Sequence, residues 1–120
     1  MKLWSNSFQD GAVIPSQFAF CKIDPASHVA MSDNKNPQLE WSDVPDGTRS
    51  FVLICHDYDV PSKGDDVNQE GKTVPADLPR VDFYHWVMID LPASMKAIAE
   101  GEFSSGIAAC GNTTGEFKIG

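Results

Sequence analysis

Cationic residues are scarce in this 120-residue sequence. Nine lysines and arginines stand against 17 aspartates and glutamates, a formal net charge of −8. That deficit argues against a nucleic-acid backbone as partner, since such binding depends on Lys and Arg neutralising phosphates. It argues equally against a general attraction to anionic membrane surfaces. A local cationic spot can still hold an anion, because geometry overrides net charge at short range. Long apolar runs are missing too: none approaches the roughly 20 residues of a transmembrane helix. The opening Met1-Lys2-Leu3-Trp4-Ser5-Asn6 has no apolar core of the kind a signal peptide carries. There are three cysteines, Cys21, Cys55 and Cys110, with no CxxC pair, so a reduced cytoplasmic protein is the simplest account.

Motifs for several chemistries are also lacking. There is no HxH, HExxH or close cysteine pair for a metal, and no G-x-S-x-G elbow for a serine nucleophile. Gly111-Asn112-Thr113-Thr114-Gly115 lacks the Gly-Lys-Ser/Thr of a nucleotide-phosphate loop. The acids between residues 61 and 79 lack EF-hand spacing. The expectation is a non-enzymatic chain with no cofactor and no metal. A hydrolase, the alternative, needs a nucleophile or metal that no motif supplies.

What is present suits one domain over residues 1–120, with 42% hydrophobic and 22% charged residues. Nine glycines and eight prolines are spread throughout and helical periodicity is scarce, which points to short strands joined by turns. Asp10-Gly11 and Pro45-Asp46-Gly47-Thr48 read as turns. Phe18 and Phe20 share a strand face, and Asn36-Pro37 opens a strand ending near Trp41. Ser50 to His56 holds a continuous apolar run, expected to be buried on both faces, with Cys55 as a small buried hydrophobe. Pro61 to Pro79 reads as an acidic surface loop. Asp82 to Leu91 reads as a central strand, with Phe83, His85, Val87 and Ile89 on one face and Tyr84, Trp86 and Met88 on the other. Trp41, Tyr84 and Trp86 are assigned to the core. Pro92 to Glu100 is the helix candidate, capped by Ser94 and stopped by Gly101. Gly106 to Gly115 is glycine-rich, and Glu116 to Ile119 begins a further strand.

The polar cluster lies at the end of the apolar run, in Asp57-Tyr58-Asp59-Val60-Pro61, with His85 on a later strand. Residues i and i+2 point the same way, so Asp57 and Asp59 are expected to converge. Two close carboxylates raise one another's pKa and repel an anion if both stay charged. Two arrangements reconcile them with an anion: they act as acceptors that orient His85 or loop N–H groups, or one is protonated and donates. On pattern alone a strand histidine is more often a hydrogen-bonded core residue, and acids at a strand end more often shape turns. His56 is expected on the opposite side of its strand and ranks below His85.

Taken in order, Phe8-Gln9-Asp10-Gly11, Ile14-Pro15, Asn36 to Trp41, Val44 to Phe51, Asp57 to Pro61, Asp66 to Gly71, His85-Trp86-Val87 and Leu91-Pro92 resemble the phosphatidylethanolamine-binding protein family. The nearest likeness is to its bacterial Raf-kinase-inhibitor-like branch. The resemblance implies a mainly β fold, an antiparallel two-sheet Greek-key β-sandwich with a few short peripheral helices. It implies a pocket for phosphate-like anions or phospholipid headgroups, walled by Asp57, Asp59, Val60 and Pro61 on one side and His85 on the other. It also suggests an alternative role as a protein-interaction inhibitor of a kinase or protease. Two departures stand out. Tyr58 replaces the family's usual proline, which frees φ and restores an N–H. The family's later Gly-x-His-Arg strand has no counterpart before Gly120. The sandwich is therefore expected to be C-terminally incomplete, and to be complemented by another segment or to self-associate.

Overall fold

The computed structural model describes residues 1–105. The glycine-rich stretch and the strand expected at 116–119 lie outside the described residues. The described chain is mainly β and almost without helix. Its strands are β1 (Lys2–Trp4), β2 (Cys21–Asp24), β3 (His28–Met31), β4 (Leu39–Ser42), β5 (Ser50–Pro61), β6 (Arg80–Pro92) and β7 (Ala97–Ile98), with one 3-10 turn at Ser16–Phe18. Every strand pairing among the described residues is antiparallel. The chain divides into two compact units, Arg49–Pro92 forming one, and Met1–Thr48 with the chain from Ala93 forming the other.

In the latter unit β4 is the middle strand of the sheet β1-β4-β7, with Leu3 opposite Trp41 and Leu39 opposite Ile98. Among the described residues of this unit, Trp41 and Ile98 are the buried hydrophobic side chains. β2 and β3 form a separate hairpin whose turn is shaped by Asp24: its Oδ1 accepts the N–H groups of Ala26 at 2.9 Å and Ser27 at 2.8 Å. Phe18 belongs to the 3-10 turn rather than to a strand shared with Phe20. The turns at Asp10-Gly11 and Asp46-Gly47 stand where expected, and both glycines take positive φ (73° and 82°).

The helix expected over Pro92 to Glu100 does not form. Residues 96–98 pair with β4 instead: the Trp41 N–H donates to Lys96 O at 3.0 Å and Ile98 sits opposite Leu39. A short isolated helix is marginal in water, whereas the strand pairing satisfies the same backbone and buries Ile98 completely. The following turn is clamped by Asn36, a buried polar side chain. Its Nδ2 donates to Ala99 O at 2.9 Å and Pro37 O at 3.0 Å. Its Oδ1 accepts the N–H groups of Phe103 and Ser104 at 2.9 and 3.0 Å.

The Arg49–Pro92 unit is a long two-stranded ribbon, β5 against β6, joined by a mostly exposed loop over 62–79. The loop is closed at its base by the Ser62 N–H donating to Pro79 O at 2.9 Å. Leu91 is buried at the far end, but burial of β5 and β6 on both faces is not found. Val52, Ile54, Cys55, Tyr84, Val87 and Ile89 are exposed. The continuous apolar run predicts a packed layer on each face. Among the described residues, β5 and β6 pair only with each other. For the same reason Tyr84 is not core and Cys55 is not a buried hydrophobe, while Trp41 is core.

Candidate functional site

Three irregularities in the β5–β6 register build the site. Phe51 faces Leu91 and Leu53 faces Met88, so β6 carries an extra residue there, and Asp90 nearby takes φ +57°. Cys55 faces Trp86 while His56 faces Tyr84, which leaves His85 as the extra residue of β6. Asp57 faces Phe83 and Val60 faces Val81, which leaves one extra residue within Tyr58-Asp59 on β5. A bulge resets side-chain alternation and re-aims the residue at the irregularity. Two bulges on opposite strands within three residues thus bring His85 and Asp57 to one place.

The His85 Nε2 lies 3.5 Å from Asp57 Oδ2, with the Phe83 ring edge-on to the imidazole at 4.8 Å between centroids. The other oxygen, Asp57 Oδ1, accepts the backbone N–H of Asp59 at 2.8 Å. This backbone hydrogen bond first, and His85 after it, hold the Asp57 carboxyl below the ordinary 3.8. Although Cys55 is exposed as a residue, partial desolvation of its thiol first, and the Asp57 charge after it, push that group above its ordinary value.

Asp59 does not join Asp57. Its Oδ1 lies 3.6 Å from Arg80 Nε, and the two carboxylates take different partners. Convergence at i and i+2 requires unbroken alternation, and the bulge between them breaks it. Val60 and Pro61 follow the bulge, opposite Val81 and Arg80. The Asx arrangement at Asp57 supports the turn-shaping reading of that residue, and the His85 contact supports the orienting one. The two contacts coexist, because each uses a different oxygen. Tyr58 is exposed.

His56, which alternation ranks below His85, and Arg80, which no motif marks, both stand at the ribbon's polar end. His56 makes the shorter histidine–carboxylate contact, Nε2 to Asp82 Oδ1 at 3.0 Å, and stacks on Tyr84 at 5.0 Å. A bulge cannot be read from alternation, so no local signal placed Asp82 beside it. Arg80, a rare cation bordering an acidic loop, was the legible signal. Among the described residues, no group of three His, Cys, Asp or Glu side chains is placed to hold a metal.

The Asp57 geometry carries a pH consequence. Its folded-state pKa is depressed, so the stabilisation it contributes is present above the ordinary aspartate value and is lost as pH falls through the folded-state value. Wild-type stability is expected to drop in that acid limb. The Asp57→Asn variant should show a flatter acid limb in melts between pH 6 and pH 2. Superimposable pH profiles would show that the carboxylate does no such work.

A mainly antiparallel β protein that offsets two strands by paired bulges, so as to set a histidine against an aspartate, belongs to the class of β proteins with a polar site at a strand end. The chain belongs within that class to the phosphatidylethanolamine-binding protein family, whose sequence model matches residues 4–118. It is 34% identical over 109 residues to the UPF0098 protein YbhB of Escherichia coli (strain K12), covering 91% of this chain and 54% of that protein. It is 30% identical over 100 residues to a UPF0098 protein of Aquifex aeolicus (strain VF5), covering 83% of this chain and 42% of that one. A UPF0098 protein of Methanothermobacter thermautotrophicus is 27% identical over 115 residues, which is 96% of this chain and 58% of that protein. The chain thus spans about half the length of the curated relatives it matches. Among the described residues no helix is long and apolar enough to cross a membrane.

Proposed function

We propose that this chain is a non-enzymatic, cytoplasmic binding module for small phosphate-like anions, free or as phospholipid headgroups. Asp57, Asp59, Val60 and Pro61 form one wall and His85 the other, on one end of a two-sheet Greek-key sandwich to which the β5–β6 ribbon contributes. The observation that carries this reading is the 3.5 Å contact between an exposed His85 and Asp57. The carboxylate orients the imidazole, and the ring edge that remains open to solvent donates to the anion. Family membership supports a binding role of this general kind.

Phosphate and phosphorylethanolamine are expected to raise the melting temperature in a saturable way. His85→Ala should remove the shift. A melting-temperature shift that persists unchanged in His85→Ala would sink the proposal. Turnover of a chromogenic phosphate ester, lost in His85→Ala, would replace it with a hydrolase.

A second reading rests on the exposed apolar side chains of β5 and β6. Contiguous exposed apolar surface marks interaction sites. It supports a protein partner on the ribbon: a kinase or protease that the chain inhibits, a complementing segment, or a second copy.

A further inference from the structure

Within the site proposed above, one cation remains without a task. Arg80 opens β6 directly opposite Pro61, on the Asp59 side of the β5 bulge. Its Nε stands 3.6 Å from Asp59 Oδ1, beyond hydrogen-bond range. None of its five side-chain donors is hydrogen-bonded to a described residue. The arginine side chain is 31% exposed and the Asp59 side chain 73% exposed, so the cation is partly withdrawn while its counter-ion is free to turn outward. Asp82, two residues along β6, is engaged by His56, and Asp57 is engaged by His85 and the Asp59 N–H. Asp59 is therefore the acid that faces Arg80 directly.

We propose that Arg80 is the residue that grips the phosphate group, and that Asp59 is an internal competitor occupying the place of the anion. This rests on the anion-binding reading and adds to it a cation and a built-in brake. A planar guanidinium matches two oxygens of a phosphate with parallel N–H donors. A loose, exposed ion pair of the Arg80–Asp59 kind contributes little and is readily exchanged for a better acceptor. The arrangement reverses the ordinary expectation for a site acid. Removing the Asp59 charge strengthens binding, because the phosphate no longer has to displace a carboxylate or lie beside one.

The test is calorimetric titration of inorganic phosphate and of phosphorylethanolamine into wild type, Asp59→Asn, Arg80→Ala, Arg80→Lys and His85→Ala at fixed salt. Asp59→Asn is expected to bind both probes about two- to fivefold more tightly, the range set by an exposed pair. Arg80→Ala should bind about 10- to 100-fold more weakly, the loss typical of charge-assisted hydrogen bonds. Arg80→Lys, which keeps the charge and loses the fork, should fall between. This rank order with either probe supports the proposal. Phosphorylethanolamine as the tighter probe identifies a headgroup source, and inorganic phosphate as the tighter probe identifies free phosphate. Weaker or unchanged binding in Asp59→Asn overturns the competitor role. Unchanged binding in Arg80→Ala, with binding still lost in His85→Ala, overturns the Arg80 assignment and leaves the parent reading intact. Failure of wild type to bind either probe overturns both. A melt of each variant confirms folding, and Arg80→Lys keeps the test decisive if Arg80→Ala does not fold.

Discussion

Replacing Asn36 with alanine is expected to destabilise the chain by about 3–6 kcal/mol, because each buried polar group left unpaired costs about 1–3 kcal/mol. The residue is 4% exposed, and both ends of its side-chain amide are in use. Truncation takes the Oδ1 acceptor from the N–H groups of Phe103 and Ser104 and removes the Nδ2 donor from the Ala99 carbonyl. The Asn36 backbone adds two more ties, donating to Ser104 O at 3.0 Å and accepting the Gly101 N–H at 2.9 Å, so the turn also loses the side chain that orients it. Asn36→Asp is the sharper probe. It keeps an acceptor for Phe103 and Ser104 but turns a carboxylate oxygen toward the carbonyls of Ala99 and Pro37. Its stability should therefore recover partly when the new acid is protonated. For a domain of this size the alanine variant should melt at least about 10 °C lower. A melt within about 2 °C of wild type would show that water replaces the amide without loss.

Ile98→Ala is expected to cost about 2–5 kcal/mol and Ile98→Val about 0.5–1.5 kcal/mol. Ile98 is fully buried, and only Trp41 and Leu91 join it as buried hydrophobic residues among those described. With so few buried side chains, neighbours have little scope to relax into the space that truncation leaves. Position matters as well as volume. β7 is two residues long, and the Leu39–Ile98 pairing is half of its register with β4. Urea titration of the two variants should give midpoints in the order wild type, valine, alanine. An alanine variant no worse than valine would mean that the strand, rather than the side chain, holds this edge.

Much of the framework is legible in the amino-acid sequence because it follows short-range rules. Gly11 and Gly47 mark turns that need positive φ. The Ser50 apolar run and the Phe83 to Ile89 stretch both became strands, and the family membership was carried by ordered motifs spread along the chain. What was not legible depends on long-range pairing. Met95, Ile98 and Ala99 have helical spacing, yet the segment's backbone partner is β4, far away in sequence. The side-chain partners of Asp57 and Asp59 were obscured because alternation was assumed to be unbroken. A bulge adds one residue, and one residue inverts every inference about which side chains share a face. The same error lowered His56 and hid its contact with Asp82. The continuous apolar run of β5 records what a strand is able to bury and not what lies against it.

The hydrogen bond from Ser62 to Pro79 gives the ribbon a kind of insulation. Everything between those residues can vary while Asp59 and Arg80 keep their spacing, because the loop is tied off before it reaches them. Doubling such a loop costs only about 0.6 kcal/mol in closure entropy. The loop is therefore where insertions and sequence drift can accumulate, and where a reporter peptide can be grafted without retuning the site beneath.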